Sequence, residues 1–252
     1  MSWCDKLAST PLVGFKLDPM IISSDRYLDT LAPILNREFE GDTATFQIEE
    51  VTSTSIAFVN DAGFRYTFDP LRVTVGFHHR IRTRLVSGGP PTIDMLSRPL
   101  PYTELLPEVI ERLIEATLLL PNARERGIRR LGIVSSTSVT EDELPPGIAR
   151  LISYMGKPWA GGLESCTFTL AARLAERDGS YDKCSHTIVK PEDPTKLVSL
   201  TFDWMREFDE PQAANPASLN TMTASGQKAA LEYFEELAEG SRFDEHVISG
   251  TT

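Results

Sequence analysis

The chain has 252 residues, 41% of them hydrophobic and 24% charged, enough apolar material for a packed core and too little charge for a disordered chain. Lys and Arg number 25 against 36 Asp and Glu, a net charge of −11, and a surface of that sign argues against direct contact with nucleic acid. The apolar runs, such as Leu113 to Leu120, stop far short of the ~20 residues that cross a bilayer. The opening MSWCDKLAST places an acid at Asp5 and lacks the basic start and apolar middle of an export signal, which, with an odd number of cysteines, predicts a cytoplasmic protein.

In chain order, residues 11–17 read as a strand, and Ser23 or Ser24 caps a helix over 25–39 with Tyr27, Leu28, Leu31, Ile34 and Leu35 on one face. Pro33 is expected to kink or split it. The period then changes to two. Segments 43–51 (with a slip at Glu49 and Glu50), 55–59 and 64–77 read as an antiparallel meander, separated by Thr52-Ser53 and by the turn from Asn60 to Gly63. Residues 85–101 hold two glycines and four prolines, the densest breaker cluster, and read as a boundary or long crossover loop.

A helix over 102–120 follows, then a strand over 128–139 and a short helix over 143–154 that opens with Thr140 and prolines. Extended stretches at 164–177, 181–190 and 196–207 precede a last helix over 223–239, starting at Thr223 or Ser225 and ending at Gly240. Each half, 11–120 and 128–239, therefore reads β-α-β-β-β-α. The expected fold is α+β, two similar units with antiparallel sheets covered by helices. They divide as 1–100 and 101–252, the second carrying an acidic C-terminal helix and tail, or fuse edge to edge as one compact domain.

Charge is unevenly distributed. Between Glu207 and Thr252 nine acids face only Lys228 and Arg242, a net of −7. Positive charge collects in HHRIRTR (78–84) and RERGIRR (124–130). On a strand, Arg80, Arg82 and Arg84 share one face, which makes them the candidate partner-binding residues, for an acidic protein surface or the acidic helix of a second copy. Edge protection by charge is the competing use of such a stripe.

Motifs of chemistry are sparse. No G-x-x-x-x-G-K-[ST] loop and no G-x-G-x-x-G after a strand are present. The pairs Gly88-Gly89 and Gly161-Gly162 read as turns. Cys184 and His186 point to one face of a strand expected to pair beside Cys166, but the C-x₂-C or H-x₃-H spacing that presets zinc is missing, so no metal is expected. A Cys184/His186 dyad is awkward, since neighbours two apart on a strand have Cβ atoms about 7 Å apart. G-x-S-x-G is absent, and Glu49-Glu50 and Glu235-Glu236 read as solvated. Phe64, Tyr66 and Phe68 on one strand, with Phe202 and Trp204 on another, read chiefly as core; a line of aromatics beside the arginines would also make a groove.

The helix opening Pro101-Tyr102-Thr103-Glu104-Leu105-Leu106, the strand Ile128-Arg129-Arg130-Leu131-Gly132-Ile133 and the helix with Tyr233-Phe234-Glu235 resemble, in order and spacing, a sporadically distributed bacterial family of uncharacterised proteins. There an aromatic-led helix precedes an R-x-x-L-R-Y-x-N-like strand, and a final helix carries H-x-x-x-x-x-F. Here Gly132-Ile133 and Val134-Ser135 replace the arginine-tyrosine and the asparagine, and no histidine begins the last helix. The resemblance spans residues 60–245 and implies a bacterial cytosolic α+β protein without assigned catalytic residues. The expectation is a non-catalytic interaction protein or accessory subunit of a mobile-element or phage-defence system, with no cofactor and with a protein partner or self-association. The alternative is a small-molecule binder with a pocket between sheet and helices.

Overall fold

Alternation of buried and more exposed residues governs the central strands of the computed structural model, which describes residues 10–35, 38–39, 42–43, 46–84, 92–98, 100–159, 163–177, 179–193 and 195–239. The first half contains β1 (Thr10–Leu17), α1 (Ser24–Leu35), the two-residue strands β2 (Glu38–Phe39) and β3 (Asp42–Thr43), β4 (Phe46–Val51), β5 (Ile56–Asn60), β6 (Phe64–Phe68) and β7 (Arg72–Phe77). A ribbon of β8 (Ile81–Arg84) and β9 (Thr92–Met95) leads to α2 (Tyr102–Leu119). The second half contains β10 (Gly127–Val139), α3 (Pro146–Gly156), β11 (Cys166–Arg177), β12 (Ser180–Lys190), β13 (Val198–Ala213) and α4 (Pro216–Glu239).

Nine strands form one sheet in the order β11-β12-β13-β10-β1-β7-β6-β5-β4, with every neighbouring pair antiparallel. The opening strands of the two halves, β1 and β10, pair at its centre. Outward from that pair each side shows the closing strand of its half and then its meander in reverse. This is the α+β architecture of antiparallel sheet and covering helices, with the sheets of both halves joined edge to edge.

The four α-helices of the described residues are packed on one side. Val13 and Phe15 of β1, Val73 and Val75 of β7, Leu131 and Ile133 of β10, and Phe202 and Trp204 of β13 are buried to 1% exposure or less, while residues between them are half-buried or exposed. Helix α2 lies over β1 and β7 and against α4, which covers β10 and β13. The segments that carried the family resemblance meet in this core: Tyr102 stacks edge-on with Phe234 at 5.0 Å and hydrogen-bonds Ser135, so these residues serve packing. Gly226 of α4 sits where a Cβ would lie 2.5 Å from the Trp204 ring, and this close approach requires glycine.

Two buried arginines tie the layers together. Arg112 of α2, 2% exposed, pairs with Glu108 at 2.7 Å, lies over the Phe64 ring at 3.9 Å and donates to Tyr66 Oη at 3.3 Å. Arg126 donates to Asp18 O from Nε and Nη2 at 3.0 and 2.9 Å and to Pro70 O at 2.9 Å, joining the end of β1, the β6–β7 turn and the start of β10.

Several boundaries differ from the sequence reading. The expected strand 64–77 is two strands: Asp69 Oδ1 accepts from the amides of Leu71 and Arg72 at 2.8 Å, and Pro70 completes the turn. The first half thus has four meander strands in the large sheet where three were expected. The expected helix 25–39 ends at Leu35, and residues 38–39 are a strand. Segment 85–101, expected as a breaker loop, contains β9; residues 85–91 and 99 lie outside the described ones. The last helix begins seven residues before Thr223, because Asn215 Oδ1 accepts the amide of Ser218 at 3.0 Å and caps it. Its expected end at Gly240 lies outside the described residues. The slip in 43–51 is a bulge between Ile48 and Glu50.

Two stability outcomes follow from this packing. Arg126→Met removes both side-chain donors to the Asp18 carbonyl and one of the two donors to the Pro70 carbonyl, which keeps the Met20 amide at 2.9 Å, and urea unfolding should show a loss of about 2–3 kcal/mol. Gly226→Ala should lower the melting temperature even though alanine favours helix by about 1 kcal/mol, because overpacking against Trp204 costs about 1–3 kcal/mol.

Candidate functional site

The arginine segment does not extend the large sheet. Residues 78–80 are not in a strand, and β8 pairs only with β9, placing Arg82 opposite Asp94 and Ile81 opposite Met95. In this ribbon Arg82, Arg84, Thr92 and Asp94 share one face, and Ile81, Thr83, Ile93 and Met95 share the other. The side chain of Arg80 donates from Nη2 to Gln47 Oε1 on β4 at 3.0 Å, and its backbone amide donates to Ser97 Oγ at 2.8 Å. Arg84 pairs with Asp94 at 2.5 Å. Arg82 makes no ion pair among the described residues. On the opposite face Ile81, Ile93 and Met95 are 57%, 67% and 54% exposed.

The aromatics of β6 are core, as expected, and form no groove beside the arginines. Phe64, Tyr66 and Phe68 are fully buried beneath the helices, because β6 lies inside the sheet and its odd-numbered neighbours Arg65 and Thr67 take the other face.

Cys184 and His186 come closer than strand geometry suggested. Their side chains lean together on the helix-facing side, with Sγ and Nε2 3.3 Å apart. The imidazole stacks on Tyr233 at 4.7 Å and Cys184 is 2% exposed. Cys166 does not join them: it pairs with Lys190, six residues along β12 from Cys184, and burial pushes its thiol pKa up. Among the described residues no group of three His, Cys, Asp or Glu is placed to hold a metal. No described helix is long and apolar enough to cross a membrane.

The larger feature is the side of the sheet away from the helices. There the register aligns side chains in rows across β7, β1, β10 and β13: Arg72, Lys16, Arg130 and Glu207; then Thr74, Gly14, Gly132 and Met205; then Gly76, Leu12, Val134 and Asp203. The facing glycines Gly14 and Gly132 leave a stretch of bare backbone at the centre. A depression of about 200 Å³ lies over it, and a second of about 280 Å³ adjoins it across Asp203 and Met205, lined by Arg173 and Lys183 among others.

Gly14 is sterically required, since a Cβ would lie 2.7 Å from Thr74 Cγ2; at Gly132 the nearest atom is Trp204 O at 4.0 Å, so a side chain has open space. Within this surface Arg72 pairs with Asp69 at 3.0 Å and Arg130 with Glu207 at 3.5 Å. Tyr181 donates to Glu207, which with nearby Lys183 and Arg130 holds that carboxyl below its ordinary range. Asp203 is half-buried, and desolvation raises its pKa against the opposing pull of Arg130.

Sequence reasoning recognised 124–130 as basic but placed neither Lys16 nor Asp203 in a site. The available signal was a glycine inside each of two strands otherwise rich in β-branched and aromatic residues. No known protein family, curated protein or solved structure matches the chain.

The open face allows two measurements. Gly132→Val should raise the melting temperature, since glycine inside a strand costs about 0.5–1 kcal/mol and the space is free, while Gly14→Ala should lower it. The raised pKa of Asp203 means that the folded chain holds this proton more tightly than the unfolded one, whose ordinary value is near 3.8. Its charge therefore opposes folding above the raised value, and that cost disappears as the pH falls below 3.8. Asp203→Asn should stabilise the fold at neutral pH, with a gain that shrinks on acidification.

Proposed function

We propose that the chain is a non-catalytic interaction protein whose β8–β9 ribbon docks on an acidic, partly apolar surface of a partner protein. The observation that carries this reading is the two-faced ribbon: three large apolar side chains more than half exposed on one side, and Arg82 and Arg84 on the other. Isolated two-stranded ribbons are marginal in water, and exposed apolar patches mark contact surfaces. Arginine suits the contact because its guanidinium binds carboxylates in a two-pronged fashion. On a chain of net charge −11, a local positive face selects acidic partners and speeds their encounter. The role of an accessory subunit in a bacterial mobile-element or defence system belongs to the same proposal and rests on the family resemblance alone.

Aromatic side chains fill the space between sheet and helices, and the two depressions described above lie on the opposite face. This arrangement favours a surface contact over a ligand enclosed by sheet and helices.

The test replaces Arg80, Arg82 and Arg84 with glutamate. Arg84 is on the surface in an ion pair of small energetic weight, and Arg80 gives up one exposed hydrogen bond to Gln47 while its backbone stays anchored to Leu96 and Ser97, so the melting temperature should stay within a few degrees. Sedimentation and affinity purification from the native host, in low salt, should show a partner or a self-association that the triple variant loses and that weakens in 1 M salt, where the Debye length is about 3 Å. Retention of the same assembly by the variant overturns the proposal.

A further inference from the structure

The uncovered face of the sheet places like charges directly opposite one another. Lys16 faces Arg72 on one side and Arg130 on the other, and farther out Lys183 of β12 faces Arg173 of β11. Like charges in opposed cross-strand positions destabilise a sheet. Acids relieve part of this: Asp69 pairs with Arg72, Glu207 with Arg130 and Glu176 with Arg173. Lys16, at the middle of the row and exposed, and Lys183 make no ion pair among the described residues. A molecule of net charge −11 with acids to spare has left this central row positive.

Immediately beside that row lies the bare floor of Gly14 and Gly132. Strand positions two apart are about 7 Å apart, so a group held by the cations projects its next few atoms over the glycines. The flanks of that floor are apolar, with Leu12 and Val134 beyond it and Met205 beside it. A charge-binding end, a flat floor and apolar walls fit one class of occupant. The depression of about 200 Å³ lies below the ~300–1,000 Å³ typical of drug-sized ligands, which limits the occupant to one or two rings or an equivalent aliphatic body.

We propose that this depression binds a small organic carboxylate, its anionic group held between Lys16 and Arg130 and its apolar body lying over Gly14 and Gly132. The open space above Gly132 is central to this reading: packing does not demand a glycine there, and a side chain would occupy the volume the ligand takes. Asp203, in the row beyond the glycines, disfavours a second negative charge at the far end, so monocarboxylates bind better than dicarboxylates. The site is separate from the β8–β9 ribbon and independent of the ribbon's partner.

The experiment uses the full chain with labelled methyl groups and 1-naphthoate as probe, with 1-naphthalenemethanol as the neutral counterpart. Saturable NMR shifts of the Leu12, Val134 and Met205 methyl signals are expected with naphthoate, and the alcohol should bind at least about tenfold more weakly. Gly132→Val should abolish the shifts, and Lys16→Glu should weaken binding by about tenfold or more. The glutamate variant of Arg80, Arg82 and Arg84 should bind naphthoate as the wild type does, which separates this site from the ribbon. Melting temperatures verify that each variant is folded, and Gly132→Ala, with a smaller loss of affinity, replaces the valine variant if that one does not fold. The proposal is overturned by absence of saturable shifts up to about 10 mM probe, by equal binding of the alcohol, by shifts spread over the whole face, or by binding that survives both the Gly132 and the Lys16 substitutions.

Discussion

The antiparallel pairing of β1 with β10 is the contact on which the rest of the molecule depends. These strands are more than a hundred residues apart in the chain, yet eight residues of β1 find partners on β10, and each strand also pairs with the strand that closes its own half's meander. Without it there would be two small sheets, each with an additional open edge rich in unpaired amides and carbonyls. Arg126 secures the junction from one end by binding the carbonyls of Asp18 and Pro70. Tyr102 and Ser135 secure it from beneath the helices.

Once that junction forms, the period of the strands assigns every side chain to a face. Odd-numbered residues of β1 go under the helices and even-numbered ones to the open side, and the register carries the same choice to β7, β10 and β13. The helices can therefore cover only one face, since only that face presents a continuous apolar layer. Trp204, Phe202 and Phe15 drive that burial, at roughly 1.5–3 kcal/mol or more for each large side chain. The opposite face keeps the cations, the hydroxyls and the glycines, and its central depression lies where Gly14 and Gly132 face each other across β1 and β10.

The ribbon and the open face answer to different physics. The ribbon is a short excursion beyond β7, held by Arg80 contacting Gln47 and Ser97. Its exposed apolar side chains gain stability only when something covers them. The open face needs no cover for stability, because its rows of hydroxyls and charged groups are compatible with water. What it lacks is compensation for Lys16, which sits between two arginines. The Cys184 and His186 pair belongs to neither; it is packed among Tyr233 and Phe202, and its contact follows from aromatic stacking of the imidazole.

By itself the sequence determined the local elements wherever their cause is local. Short apolar runs placed β1 and β5, extended stretches placed β10, β12 and β13, the break at Glu49 and Glu50 marked the β4 bulge, and threefold and fourfold spacing placed α1. Local chemistry also explains the misses: the Asp69-Pro70 turn divides a strand that hydrophobicity alone runs together, and the Asn215 cap starts α4 two turns early. Even the arginine alternation at 82 and 84 was legible, since a strand's period needs no partner. Only the tertiary structure decided which strands meet. The rows that bring Arg72, Lys16 and Arg130 side by side, set Gly14 against Gly132 and leave Asp203 beyond them join residues 16 to 203 through pairings across β1, β7, β10 and β13. Strand pairing at such separations is chosen by the burial of a shared apolar face, a collective quantity that no window of neighbouring residues contains.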